Sequence, residues 1–206
     1  MRSAGSCCRL PVTTPTLILR RVATDVSDLA WRWDVDAFVK ASEAGVFGEQ
    51  RVELIDGVVV PVLLGDWHGS VTFNMGHALK LTGGEVEVTG SSLATGDSVP
   101  DPDCWVRRRA AEPVGALGRL SRWAPADVLL VVEVSDETLL VDLGPKADLY
   151  ARAGLACYWV VHPGGIEVMT DATPGGYLRR RKYSAGERVP VPYLDADISV
   201  DDILPA

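Results

Sequence analysis

DVLLVVEVSDETLLVDLGPKADLYARAGLACYWVV, residues 127–161, decides how the chain is read. Its first eight residues, DVLLVVEV (127–134), are almost unbroken apolar sequence rich in β-branched side chains. That is the pattern of a strand buried on both faces of a sheet. GPKADLYARAG (144–154) follows with helical periodicity, Pro145 suiting a first helical turn and Gly154 a C-terminal stop. CYWVV (157–161) is a second apolar strand. Strand, helix and strand in this order predict a right-handed parallel crossover.

Outward from that unit the elements are simpler. IEVMTD (166–171) and YLRRRKY (177–183) flank Pro174-Gly175-Gly176 and predict an antiparallel hairpin. Upstream, RVELIDGVVVPVLL (51–64) is two apolar runs around Asp56-Gly57, a hairpin signal. WDVDAFVKASEAG (33–45) has Val35, Phe38, Val39 and Ser42 at helical spacing and closes on Gly45. From Asp66 to about Thr82, Val71, Met75, Ala78 and Leu79 mark one face of a second helix, ended by Gly83-Gly84. EVEVTG (85–90) and DCWVR (103–107) read as short strands, and residues 110–126 as a surface loop. The fold class that follows is α/β or α+β, a mixed sheet with helices against it. One domain over 26–206 is expected, preceded by a loose extension over 1–25.

Composition narrows the function classes. At 206 residues, 47% hydrophobic and 23% charged, the chain has the makings of one folded domain. No apolar run reaches the roughly eighteen residues of a membrane helix, and the N-terminus lacks a secretory apolar core. Cys7, Cys8, Cys104 and Cys157 have neither CxxC spacing nor a disulfide pattern. Reduced thiols in a cytoplasm are expected. The net charge of −8 opposes wrapping of nucleic acid by bulk electrostatics. Two basic runs, Arg107–Arg109 and Arg179–Lys182, offer local relief or are solvated edge-strand charges.

Glu133 is the most informative residue, because it interrupts an apolar strand. An ionised carboxylate is rarely buried unpaired, since its desolvation costs several kcal/mol. A metal or a basic side chain meets it, or it reaches solvent at the strand end. Lys146 is the candidate partner: spacing to Leu149, Tyr150 and Ala153 puts it on the apolar face of its helix. Asp101 and Asp103, in VPDPDCWV, are oxygen donors of the kind Mg²⁺ takes, or turn residues. Glu53 lies among Val52, Leu54 and Ile55 and is suspicious for the same reason as Glu133. His68 opens a helix on its inward face, as a core histidine or a catalytic one. His77 and His162 read as incidental. Nucleophile-elbow, Walker A and dinucleotide-binding glycine motifs do not occur.

Together these stretches resemble the Uma-two family, restriction-endonuclease-like proteins within the PD-(D/E)XK nuclease superfamily. The resemblance is carried by ELIDG (53–57), His68, Pro102-Asp103 before a strand and LLVVEVS (129–135). It continues through Thr138, Asp142, Lys146 and Tyr150 at four-residue steps, then ARAG and YWVV. It covers about residues 30–205 and implies a restriction-endonuclease-like fold. It also implies Asp103 and Glu133 as ligands of Mg²⁺ (or Mn²⁺), with Lys146 at the attacking water. Ser135 occupies the usual lysine position, and the resemblance places the lysine on the following helix, at Lys146. Glu53 falls on the superfamily's N-terminal acid. The implied activity is DNA phosphodiester hydrolysis by a homodimer. Two other readings stay open: a non-catalytic interaction module, and a sugar hydrolase using Glu53 and Glu133 as its carboxylate pair.

Overall fold

The computed structural model describes residues 30–62 and 65–205. The expected extension over 1–25, with Cys7 and Cys8, lies outside the described residues. A compact unit spans Arg32–Ala206. It begins with α1 (Val35–Glu43), whose N-terminus is capped by Asp34 accepting the Ala37 N–H at 2.7 Å. Next come β1 (Val52–Ile55) and β2 (Val58–Pro61). Asp56 and Gly57 both have positive φ, 47° and 78°, the geometry a two-residue hairpin loop requires.

α2 (Asp66–Leu81), β3 (Val86–Thr89) and β4 (Cys104–Arg108) follow, at the predicted positions. Residues 110–126 are not a plain loop. They hold a small hairpin, β5 (Gly115–Leu117) and β6 (Leu120–Arg122), turning at Gly118 with φ +55°. Three-residue strands carry too little alternation to show in sequence.

β7 (Val128–Val134) is the central strand. The helical segment after it starts earlier than its sequence suggests. A turn, α3 (Leu139–Val141), runs into a π-helical turn over Asp142–Lys146 and then α4 (Ala147–Arg152). Pro145 is therefore inside the helix, not in its first turn. A proline there cannot donate to the ladder, and the wider π turn accommodates the lost bond. The Asp142 carbonyl also accepts the Tyr158 hydroxyl at 3.0 Å, which ties this turn to β8.

β8 (Cys157–His162), β9 (Gly165–Thr173) and β10 (Gly176–Tyr183) complete the main sheet, with β11 (Arg188–Pro190) and β12 (Asp197–Ser199) as a separate pair. The six-stranded sheet has the order β10-β9-β8-β7-β4-β3. β7 and β8 are parallel, as the crossover predicts, and the other neighbours are antiparallel. Alternation sorts the strands into two cores. Val132, Val134, Trp159 and Val161 pack with Val71, Met75 and Leu79 of α2 on one face. Val131, Tyr158 and Val160 pack with Leu149 and Tyr150 of α4 on the other. Cys104 and Cys157 are buried free thiols within the first core. Phe38, Leu54 and Val99 form a third cluster that joins α1 to the β1–β2 hairpin. Among the described residues no helix is long and apolar enough to cross a membrane.

Candidate active site

Glu133 leaves β7 on the α4 face, one residue before the strand ends, and is 3% exposed. Its Oε1 accepts two hydrogen bonds, from the Tyr150 hydroxyl at 2.7 Å and from Lys146 Nζ at 3.2 Å. The same ammonium lies 3.1 Å from Glu53 Oε1 and 3.7 Å from Asp142 Oδ1. Lys146 thus bridges Glu53 and Glu133. The π turn aids this placement: Asp142 and Lys146, four residues apart, both turn inward and are buried. Thr138 Oγ1 in turn donates to Asp142 Oδ2 at 2.5 Å.

Asp103 stands just before β4, level with the end of β7. Its Oδ2 accepts the Val134 backbone N–H at 2.7 Å, and its Oδ1 lies 3.0 Å from His68 Nε2. His68 Nδ1 is 3.5 Å from Thr72 Oγ1. His68 is therefore neither a plain core histidine nor remote from the chemistry, since it holds one candidate ligand in place. Asp101 is directed elsewhere. Its carboxylate accepts from Arg51 at 2.5 Å and Ser92 at 3.1 Å, while its backbone N–H donates to Glu53 Oε2 at 3.2 Å.

Asp103, Glu133, Glu53 and Lys146 all line one cavity of about 400 Å³. The four candidates picked from sequence converge. Asp142, Tyr150 and His68 join them as supporting side chains. The four-residue spacing of Thr138, Asp142, Lys146 and Tyr150 contained the signal for the first two. The contact of His68 with Asp103 comes only from packing.

The electrostatics are unbalanced. Burial pushes the Glu133 carboxyl well above its usual range; Lys146 opposes that, and Asp103, Asp142 and Glu53 add to it. For Lys146 burial works against the charge, but Glu133, Glu53 and Asp142 outweigh it and hold the group above the ordinary lysine range. Lys146 is consequently an ammonium. Tyr150 is pushed up first by burial and then by Glu133, so its hydroxyl stays a donor.

Among the described residues no group of three or more His, Cys, Asp or Glu side chains is placed to hold a metal ion unaided. Mg²⁺ does not require one, since it usually takes one or two carboxylates and completes its shell with waters and substrate phosphates. The donor set fits such an ion. Seven carboxylates line the cavity against one lysine and one histidine. Both hydrogen bonds to Glu133 fall on Oε1. The sugar-hydrolase reading fares worse. Glu53 and Glu133 are clamped to one ammonium, which suits neither an acid nor a free nucleophile.

The sequence model of the Uma2 family, described as "Putative restriction endonuclease", matches residues 38–201. No curated protein matches the chain. A solved structure with the same fold is titled as that of "a putative nuclease belonging to DUF820" from Anabaena variabilis ATCC 29413. It aligns at a TM-score of 0.60 and 15% identity, covering 83% of this chain and 97% of that one.

Proposed function

The chain belongs to the Uma2 family, and from the residues of its cavity we propose that it is a Mg²⁺-dependent endonuclease hydrolysing DNA phosphodiester bonds. The observation that carries this is a buried ammonium lodged against Glu133 and Glu53 in a cavity that Asp103 also lines. Asp103 and Glu133 would hold the ion. When bound, it supplies Lewis-acid polarisation of a phosphoryl oxygen and offsets developing negative charge.

The protein's own groups do the rest. His68 and the Val134 N–H fix both oxygens of Asp103. Tyr150 fixes Glu133. Lys146, being protonated, is no general base; it donates hydrogen bonds to an attacking water and to phosphate oxygens whose charge grows in the transition state. Glu53 positions that ammonium and is tied in turn to the Asp101 backbone. The proposed enzyme works in the cytoplasm as a homodimer, two copies serving the two strands of a duplex.

Purified protein with Mg²⁺ or Mn²⁺ is expected to cut single-stranded, linear or supercoiled DNA, and Glu133→Ala to abolish cutting. Cleavage at the wild-type rate in that variant overturns the assignment. A second reading, a non-catalytic interaction module, draws on one observation. Arg179, Arg180 and Arg181 are each paired with an acid of the same protein, so they are not free cations awaiting phosphate. Oligonucleotide affinity measured across a salt series separates the two. A slope near zero favours the module.

A further inference from the structure

A second cavity, about 340 Å³, lies on the other side of β1 from the candidate site. Strand alternation makes the division: Glu53 faces the acidic cavity and Val52 lines this one. Its floor is apolar. Phe38 and Phe47 meet there with ring centroids 5.6 Å apart, beside Val99. Its rim is polar, with Gln50, Arg51, Asp101, Glu43 and Arg119, of which Asp101 also lines the acidic cavity. The rim is held in shape by contacts between elements. Glu43, at the end of α1, accepts the Arg119 backbone N–H at 2.8 Å and so fixes the β5–β6 turn.

The two cavities share Asp101. A short chain of contacts runs through it, from Arg51 to the Asp101 carboxylate and from the Asp101 N–H to Glu53. It continues through Lys146 to Glu133. The second cavity thus adjoins the acidic one at Asp101.

We propose that this cavity receives one nucleobase of the DNA strand being cut, a subsite that rests on the nuclease reading above. The occupant is chosen by chemistry. Two arginines face two carboxylates on the rim, so the cavity is balanced in charge, unlike its acidic neighbour, and does not select a bare anion. A wholly apolar ligand would strip water from Arg51, Ser92 and Asp101 and return no hydrogen bonds. A nucleobase has apolar faces to lie on Phe47 and donor and acceptor edges to meet Gln50, Ser92 and Arg119. The volume stands at the small end of ligand cavities and suits one base rather than several. A base enters only after leaving its stack, so single strands or an extruded nucleotide are preferred over intact duplex.

The test uses the full chain, a fluorescent single-stranded oligonucleotide, and the same strand made abasic at every position. Affinity is read by anisotropy in EDTA, and cutting by gel in Mg²⁺. Phe47→Ala is expected to weaken binding of the intact strand roughly tenfold, the scale of one lost base–aromatic stack, and Gln50→Ala several-fold. On the abasic strand wild type and both variants are expected to bind alike. If both variants, folded by circular dichroism, bind and cut the intact strand as wild type does, the subsite is wrong and the nuclease stands. If wild type neither binds nor cuts, both fall. Should Phe47→Ala fail to fold, Gln50→Ala and the abasic comparison with wild type still decide; equal wild-type affinity for intact and abasic strands rejects the subsite.

Discussion

Two regions of this molecule are built from ion pairs, and they carry very different weight. At the end of β7 a lysine side chain 9% exposed is held between Glu53 and Glu133. On the edge strand β10, Arg179 and Arg181 reach Asp171 and Glu187 with side chains 81% and 67% exposed. In sequence the RRRK run offers either local relief from the negative net charge or solvated edge-strand charges. In the fold its arginines answer acids on neighbouring segments, and water screens the Arg179 and Arg181 pairs. The single glutamate in an apolar strand is the more informative signal, and burial makes it the group around which a lysine, a tyrosine and two further acids are arranged. Charge counts by its surroundings more than by its number.

The sharpest way to test that contrast is to remove the buried cation. Lys146→Met leaves Glu133, Glu53 and Asp142 facing one another without a cation between them. Breaking a buried pair from one side costs about 3–5 kcal/mol, so a large fall in Tm is expected, together with a loss of cleavage of about 10²-fold or more. Adding Glu133→Gln to Lys146→Met is expected to recover part of the stability but none of the activity. A Tm unchanged in the single variant would mean that the buried pair counts no more than a surface one.

Next in size is Tyr150→Phe. The hydroxyl donates to Glu133 Oε1 at 2.7 Å in a fully buried setting, and a hydrogen bond to a charged group contributes about 1.5–3 kcal/mol. Tm should fall accordingly, and cleavage should fall through kcat more than through KM, because Tyr150 positions Glu133 rather than substrate. On the edge strand, Arg179→Ala or Arg181→Ala is expected to change stability by less than about 1 kcal/mol. A loss near that of Lys146→Met would erase the comparison.

How much of this was legible beforehand follows the same physics. The apolar run of β7, the Asp56-Gly57 turn and the strand–helix–strand order are local signals, and the sheet was readable from them. Glu133 was readable because burial of a carboxylate demands an explanation. Lys146 was found by helical phase, although the helix begins at Leu139 and carries Pro145 inside a π turn. His68 on Asp103, and Arg51 on Asp101, join segments tens of residues apart, and no local pattern announces such contacts. The same holds for the β5–β6 hairpin, whose place is set by Glu43 of α1.

The smallest expected effect probes the side of the sheet nearer β10, where a buried histidine stands in for the buried lysine. His162 Nδ1 accepts the Gly164 N–H at 3.1 Å, while Nε2 lies 3.7 Å from Glu167 Oε1 without a hydrogen bond. Burial holds its pKa below the ordinary 6.5, helped by Lys182 and Arg180 and opposed by Glu167. The unfolded chain therefore takes up a proton before the folded one does. The stability contributed by neutral His162 is complete above about pH 6.5 and is lost as pH falls from there through the folded value. Glu167 behaves in a lower window. Arg180 holds it below its ordinary 4.5 against the opposing effect of burial, so its share is lost only on acidification past that value. His162→Gln should flatten the Tm profile below about pH 6.5 and leave the steeper acid limb in place. A profile that keeps its slope in the upper window would show that His162 titrates as freely in the fold as in the unfolded chain. Arg180 and Lys182 around it would then be screened as fully as Arg179 and Arg181 on the same strand.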